Sequence, residues 1–292
     1  MAAIAPPIRC VAFGLRVSTD IVLPGAMRDD SPSPPDVVIR RVAPRADELQ
    51  GSTTLWREQD VLHFAPTGVA HYRCAPPGSV DVAPCPGSDD DEIAALLIAT
   101  ALPGLLWLRG GFMLHAAAAI LPGHRGAVAM VAASGGGKST ILAELIARGA
   151  RVVADDSVHL RETATGVLAS GLPGGYFAHA TDPAARPFVA VAADQGVAAA
   201  PLTLMLLLAR HDPGRPPSFD RLQPLEALSV VLSHRHRPAI STLFGEPRQR
   251  LAAAARIARV PAYRWSRPCG SVALTTAEWG MITRLSGEHD DG

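Results

Sequence analysis

Short apolar runs alternate with turns rich in proline and glycine in the chain up to residue 90. Runs of this length with β-branched residues are typical of strands, and the proline and glycine between them mark turns. The predicted strands cover residues 14–22, 37–42, 53–57, 61–64 and 69–74. We therefore expect a smaller, β-rich N-terminal domain over residues 1–90.

The pattern changes over residues 91–292, where apolar strand-like runs alternate with helical stretches. Such alternation is typical of an α/β layer structure. The predicted strands are 116–121, 127–132, 151–154 and 202–208, and the predicted helices are 139–148, 224–233 and 248–259. Residues 75–91, rich in proline, glycine and aspartate, are the expected boundary between the two domains.

Residues 93–108 carry no charge and could be mistaken for a membrane span. A spanning helix needs roughly 20 apolar residues, and this stretch is shorter and contains Pro103-Gly104. The acidic run from Asp89 to Glu92 precedes it and suits a helix N-terminus. We expect a buried helix here and no membrane partner.

The composition is that of a globular protein, with 48% hydrophobic residues, 18% charged residues and a formal net charge of zero. Zero net charge gives no electrostatic reason to expect a nucleic-acid partner. The 4 cysteines show no CxxC spacing, which argues against a structural zinc site and a disulfide framework. The N-terminus lacks the features of a signal peptide, so we expect a cytoplasmic protein.

Lys138 is the only lysine among the 27 lysine and arginine residues of the chain. It lies in a glycine-rich loop between the predicted strand 127–132 and the predicted helix 139–148, which is the context of a phosphate-binding P-loop. A flexible ammonium can follow phosphate oxygens beneath a tight loop, where a planar guanidinium is too bulky. The predicted nucleotide-binding residues are Ser134, Gly135, Gly136, Gly137, Lys138, Ser139 and Thr140.

Ala132 stands where the full pattern GxxxxGK[ST] has its first glycine. Three consecutive glycines can still turn their amides toward phosphate oxygens, and the positive end of the following helix adds to this attraction. Ser139 supplies a hydroxyl for magnesium. We expect ATP or another nucleoside triphosphate with Mg²⁺, and the alternative is a flexible glycine turn.

Two adjacent carboxylates, Asp155 and Asp156, follow the predicted strand 151–154. Ligands of α/β sheets bind at such strand ends, where one carboxylate can serve an acceptor hydroxyl and the other magnesium. The alternative is one metal-binding aspartate with a solvated neighbour. His115, just before the strand 116–121, is a candidate to orient an aspartate, or else a structural histidine.

These elements together resemble a known family. His115-Ala116 before a strand, the loop from Ser134 to Thr140 and the run from Val152 to Val158 are similar to the C-terminal catalytic domain of the HPr serine kinase/phosphorylase family. The resemblance implies a P-loop kinase domain with a mixed sheet and flanking helices.

The same resemblance implies a role for each matching residue. Asp155 is the base that contacts the acceptor serine, and His115 partners Asp155. Lys138 holds the phosphates, and Ser139 helps to bind magnesium.

The family's later ExRG element, whose glutamate assists magnesium, does not occur in residues 166–183. Asp156 or Asp182 is expected to replace that glutamate as a metal ligand. Arg235 and Arg237 are candidates to complete the phosphate clamp, and the alternative is a solvated basic loop.

Three short segments, Phe13 to Ser18, Leu23-Pro24 and Val260 to Trp265, resemble a divergent branch of HPr-kinase-related proteins that includes lasso-peptide precursor kinases. This resemblance implies an ATP-dependent kinase for a serine of a ribosomally synthesised precursor peptide, and a homo-oligomer. Two other functions stay open: a P-loop kinase of a small metabolite, and a nucleotide-binding regulatory or scaffold protein without transfer activity.

Overall fold

The protein is described here by a computed structural model that covers residues 7–44, 54–178, 187–212, 214–243, 247–270 and 273–289. Within these ranges the chain is a mixed α/β protein with an eight-stranded, a nine-stranded and a two-stranded sheet. The expected α/β class, with a mixed sheet and flanking helices, is confirmed. The HPr-kinase-like P-loop fold and the division into domains at residue 90 stay predictions.

The first sheet contains the N-terminal strands in the order β3-β1-β2-β4-β8-β7-β6-β5. Its strands are β1 (Ile8–Ala12), β2 (Leu15–Thr19), β3 (Met27–Arg28), β4 (Val37–Arg41), β5 (Leu55–Glu58), β6 (Val61–Phe64), β7 (Ala70–Ala75) and β8 (Ser79–Pro84). All five predicted strands are present, although residue 53 of one of them lies outside the described residues. The N-terminal half is β-rich, as expected.

Strand β8 lies inside residues 75–91, where the composition suggested a boundary. It pairs with β4 on one side and with β7 on the other, and Val80 and Val82 are fully buried. The prolines and glycines that suggested a linker lie at both ends of the strand, in the turn 76–78 and at residues 84–87. The sequence pattern predicts no strand here, and the position of the domain boundary stays a prediction.

The second sheet has the order β12-β10-β11-β17-β14-β13-β9, with β19 pairing β17 and β18. Its strands are β9 (Phe112–Leu114), β10 (Ala116–Ile120), β11 (Ala127–Val131), β12 (Arg151–Ala154), β13 (Val158–Thr163), β14 (Gly166–Ser170), β17 (Ala199–His211), β18 (Ser218–Arg221) and β19 (Ala262–Pro268). The pairs β11–β17 and β17–β19 are parallel and the other pairs are antiparallel. The two-stranded sheet joins β15 (Gly175–Phe177) and β16 (Phe188–Ala190).

The central strands of the second sheet are buried on both faces, and their side chains alternate between two layers. In β11, Val128 and Met130 face α3 (Lys138–Ala147) and α7 (Thr276–Glu288), whereas Ala127, Ala129 and Val131 belong to the core shared with the first sheet. The remaining helices are α4 (Pro224–Ser233), α5 (Pro238–Leu243) and α6 (Pro247–Ile257). The predicted helices α3, α4 and α6 are confirmed.

One helical segment runs from residue 90 to residue 108 as α1 (Asp90–Leu96), a π-helical turn (Leu97–Ala101) and α2 (Leu102–Leu108). The Asp89 side chain caps it by accepting from the Asp91 N–H. The segment has 19 residues, and an 18-residue window of it has a mean hydropathy of 1.6, so its length and composition would allow it to cross a membrane. However, 67% of that window is buried within the protein. The expected buried helix is confirmed, and α2 contains Pro103-Gly104 in its first turn.

A hairpin turn from the first sheet reaches the second sheet. Phe13, with φ of 54°, and Gly14, with φ of 72°, form the turn between β1 and β2. The Phe13 N–H donates to the Gly171 carbonyl at 2.7 Å, and His159 Nδ1 donates to the Phe13 carbonyl at 3.1 Å. Burial lowers the pKa of His159 to about 4, so this link is made by a neutral imidazole at pH 7.

The neutral state of His159 makes stability depend on pH. The pKa of His159 is about 4 in the folded chain against an ordinary value of 6.5. The neutral imidazole therefore contributes its full stabilisation of the folded chain above pH 6.5, and this contribution is lost as pH falls toward 4. His159→Asn keeps a donor for the Phe13 carbonyl but does not titrate. The free energy of unfolding is measured by urea denaturation between pH 6.5 and pH 4. We expect it to fall by up to roughly 3 kcal/mol less in the variant than in wild type.

His211→Asn, away from the hairpin turn, is the matched control and should follow wild type. Parallel pH profiles for wild type and His159→Asn would contradict the assignment.

Candidate functional site

The glycine-rich loop joins the end of β11 to the start of α3. Gly137, with φ of 94°, caps the helix, and Gly135 has φ of 76°, so both occupy the left-handed region that favours glycine. A Cβ at Gly136 would lie 2.6 Å from the Ala132 Cβ. The alanine that departs from the full P-loop pattern thus packs against a position where the loop must have glycine.

Lys138 begins α3 and points into the protein. Its ammonium lies 2.9 Å from His115 Nε2 and donates to the Ala132 carbonyl at 3.1 Å, and the residue is only 6% exposed. A buried ammonium needs such partners, because leaving it unpaired away from water is costly. The sole lysine and His115, predicted separately from the sequence, therefore lie in direct contact.

His115 has its tautomer fixed by these contacts. Its Nδ1 donates to the Asp156 main-chain carbonyl at 2.9 Å, and its Nε2 accepts from Lys138. Burial lowers the pKa of His115 below its usual value by more than nearby Asp156 raises it, and the Lys138 charge acts in the same direction as burial. The imidazole is therefore neutral at pH 7.

The two carboxylates after β12 have different surroundings. Asp155 is 7% exposed; its Oδ1 accepts from the Ser139 hydroxyl at 3.0 Å and its Oδ2 from the Phe177 N–H at 2.9 Å. The Asp156 carboxylate is 40% exposed, and its Oδ1 lies 3.6 Å from His115 Nδ1. Asp156 has φ of 70°, a strained conformation for a residue with a side chain and one that recurs at functional sites.

One contact differs from the pair that the family resemblance implied. The resemblance paired His115 with Asp155, but His115 lies against Asp156, and Ser139 bonds Asp155. Metal binding by Ser139 and Asp156 stays a prediction. Asp182, the other expected metal ligand, lies outside the described residues.

An open pocket of about 530 Å³ adjoins the loop and Asp156. It is lined by His115, Asp156 and residues 132–134 and 233–238. Residues 234–236 pair with the chain around β9, because the His115 N–H donates to the His234 carbonyl and the His236 N–H donates to the Met113 carbonyl. This pairing brings the loop 233–238, which lies much later in the sequence, beside Asp156.

The predicted clamp residues Arg235 and Arg237 both line this pocket. Their Nε atoms donate to the Leu232 and Ala99 carbonyls, at 2.9 and 3.0 Å respectively. Each guanidinium is thus tethered by one edge to the main chain beside the pocket. Whether they act on phosphate stays a prediction.

Two further residues at the site were not predicted. His236 contributes an imidazole to the pocket, and Arg210, beyond the predicted strand 202–208, would have its Nη2 within 2.9 Å of a Cβ at Gly137. The sequence holds a weak indication of each: His236 alternates with basic residues in the segment 234–237, and Arg210 follows a buried strand that leads to the P-loop edge of the sheet.

Pro103 explains how the loop 233–238, which lines the pocket, is held in place. In an α-helix the Ala99 carbonyl would accept from the N–H of residue 103, which proline lacks. That carbonyl instead accepts from His236 Nε2 and Arg237 Nε, both at 3.0 Å, while Trp107 Nε1 donates to the His236 carbonyl at 3.1 Å. The buried helix is therefore the support of the pocket.

Comparison with known proteins finds likeness among solved structures but not among sequences. No protein-family model and no curated protein sequence matches the chain. The HPr(Ser) kinase/phosphatase from Coxiella burnetii superposes with a TM-score of 0.35 and 16% sequence identity, over 61% of this chain and 95% of that one. At this TM-score the overlap does not establish a common fold.

Pro103→Ala tests the support of the pocket loop. The new N–H can bond the Ala99 carbonyl within the helix, in competition with His236 and Arg237. We expect faster amide hydrogen exchange at His236, whose N–H bonds Met113, when wild type and variant are compared by NMR.

Pro224→Ala is the matched control, since Pro224 occupies the first turn of α4, where a missing N–H removes no helix bond. Unchanged exchange at His236 in Pro103→Ala would show that the proline does not direct the carbonyl to the loop.

Proposed function

We propose that the protein is an ATP-dependent phosphotransferase that phosphorylates a hydroxyl group, most specifically a serine of a peptide or protein. One observation carries this proposal: the adjacent Asp155 and Asp156 contact different partners. Asp155 accepts from the P-loop serine, Ser139, whereas Asp156 lies beside His115 at an open pocket. Such a division provides one carboxylate for the phosphate donor and one for the acceptor.

Residues 134–140 are the proposed donor side. The loop amides and the start of α3 suit phosphate oxygens, and Arg210 brings a positive charge to Gly137. Ser139 Oγ and the Asp155 carboxylate, 3.0 Å apart, are the hard oxygen donors that Mg²⁺ prefers, so these residues fit that ion. Bound there, Mg²⁺ neutralises charge on the transferring phosphoryl group.

Asp156 is the proposed acceptor base. The serine oxygen forms the new bond to the γ-phosphorus, its proton passes to the Asp156 carboxylate, and the bond to the bridging oxygen breaks to leave ADP. His115 acts as a positioning residue, because its Nδ1 holds the Asp156 main chain and lies 3.6 Å from Oδ1. Lys138 leaves His115 to contact the phosphates in this scheme.

The peptide acceptor rests on two supports. The pocket beside Asp156 is open and is bordered by the exposed Arg237 and the chain segment 233–238, and an open pocket favours a polypeptide over an enclosed small molecule. The sequence resemblance to HPr-kinase-related proteins favours a ribosomally synthesised precursor peptide of the lasso type, acted on in the cytoplasm. A homo-oligomer stays a prediction.

Matched variants of the two carboxylates test this division. The full chain is mixed with Mg²⁺, γ-labelled ATP and serine-containing precursor-type peptides, and phosphopeptide is measured by intact mass. We expect Asp156→Asn, which fits the left-handed backbone, to lose about 100-fold or more in transfer while it still binds a fluorescent ATP analogue. Asp155→Asn should weaken Mg²⁺-dependent nucleotide binding itself.

Asp220→Asn, on the exposed strand β18, is the control for loss of a carboxylate and should behave as wild type in both measurements. The peptide with serine replaced by alanine should stay unlabelled. If Asp156→Asn transfers normally while Asp155→Asn binds nucleotide but does not transfer, the pairing that the family resemblance implied is correct instead.

The other two functions give distinct outcomes in the same assay. Label on small alcohols but on no peptide would favour a metabolite kinase. Bound nucleotide with no transfer to any acceptor would favour a regulatory or scaffold protein.

A further inference from the structure

Two imidazoles and a carboxylate converge beside the pocket from distant parts of the chain. His115, Asp156 and His236 each offer one ligand atom, and these atoms all lie within 4.8 Å of one another. We propose that this cluster binds one divalent transition-metal ion of the Zn²⁺ type, at a site distinct from the proposed Mg²⁺ site on Ser139 and Asp155.

The hydrogen bonds around the cluster prepare the imidazoles for this role. His236 Nε2 donates to the Ala99 carbonyl at 3.0 Å, which leaves the Nδ1 lone pair for a metal. His115 Nδ1 donates to the Asp156 main-chain carbonyl at 2.9 Å, so the metal must take the Nε2 lone pair, which accepts from Lys138 in this structure. Metal-binding histidines usually donate their second N–H to a carbonyl or carboxylate in this way.

The ligand set selects the class of ion. Two neutral imidazoles with one carboxylate suit Zn²⁺ and its neighbours, whereas Mg²⁺ prefers oxygen ligands alone. Metal–ligand bonds of about 2.1 Å place the ligand atoms of a tetrahedral ion about 3.4 Å apart. The ligand atoms, which lie within 4.8 Å of one another, must therefore approach by at most about 1.4 Å to close the site. Three protein ligands leave a fourth position toward the pocket.

Lys138 opposes this metal in the resting state. Its ammonium lies 2.9 Å from His115 Nε2, so a divalent cation at His115 meets a nearby positive charge. Removal of the ammonium should therefore strengthen metal binding. If the proposed function is correct, ATP draws Lys138 to its phosphates and has the same effect.

The site also provides a form of regulation that rests on the proposed function. A metal bound to the Asp156 carboxylate occupies the group that must take the proton of the acceptor hydroxyl. Zn²⁺ should then inhibit transfer that is supported by Mg²⁺.

The binding experiment uses the full chain, freed of metal by a chelator, without nucleotide. Zn²⁺ binding is measured by calorimetry, and Co²⁺ is added separately because its visible absorption reports nitrogen coordination. We expect one ion per chain and a loss of affinity of about tenfold or more in His236→Gln, in which the glutamine amide can still donate to the Ala99 carbonyl. Lys138→Ala should bind about tenfold more tightly or better.

His234→Ala is the matched control, since His234 lines the same pocket but does not belong to the cluster of His115, Asp156 and His236. It should bind Zn²⁺ as wild type does, and thermal unfolding checks that each variant is folded. Equal affinity in wild type and His236→Gln, or no binding by wild type at micromolar Zn²⁺, overturns the site. Metal binding without any phosphotransfer would leave the site standing and refute only the proposed kinase.

Discussion

The contact between the Lys138 ammonium and the neutral His115 imidazole connects the parts of the site. It joins the start of α3 to the chain between β9 and β10, and through His115 to the turn at Asp156. A buried ammonium requires an acceptor, and the Lys138 partners are an imidazole nitrogen and the Ala132 carbonyl. The positions of the glycine loop, the histidine and the exposed carboxylate are therefore mutually dependent.

Hydrogen bonds near this contact also connect the site to distant segments of the chain. The Ala99 carbonyl, which lacks a helical partner at Pro103, receives His236 and Arg237, and this fixes the loop that closes one side of the pocket. The Phe177 N–H and the Ser139 hydroxyl hold Asp155 in a buried position, while the left-handed backbone directs Asp156 toward His115. Two neighbouring carboxylates consequently have different environments.

The order of the main elements could be predicted because periodicity, glycine and proline are local properties. The strand–loop–helix around Lys138, the buried helix and most N-terminal strands followed from them. The partners of Asp155 and Asp156 could not, because side chains at a strand end depend on a positive φ that the sequence does not reveal. His236 and β8 were missed for a related reason: tertiary pairing, rather than local pattern, gives each its position.

The hairpin turn at Phe13 and Gly14 has a consequence for how the chain reaches this structure. The hydrogen bond between the Phe13 carbonyl and His159 joins residues 146 positions apart. Contacts with such long sequence separation close late, because the loop entropy must be lost before they form. During synthesis, the first strands therefore leave the ribosome well before their partners exist, and the turn must stay unpaired until β13 and β14 have been made.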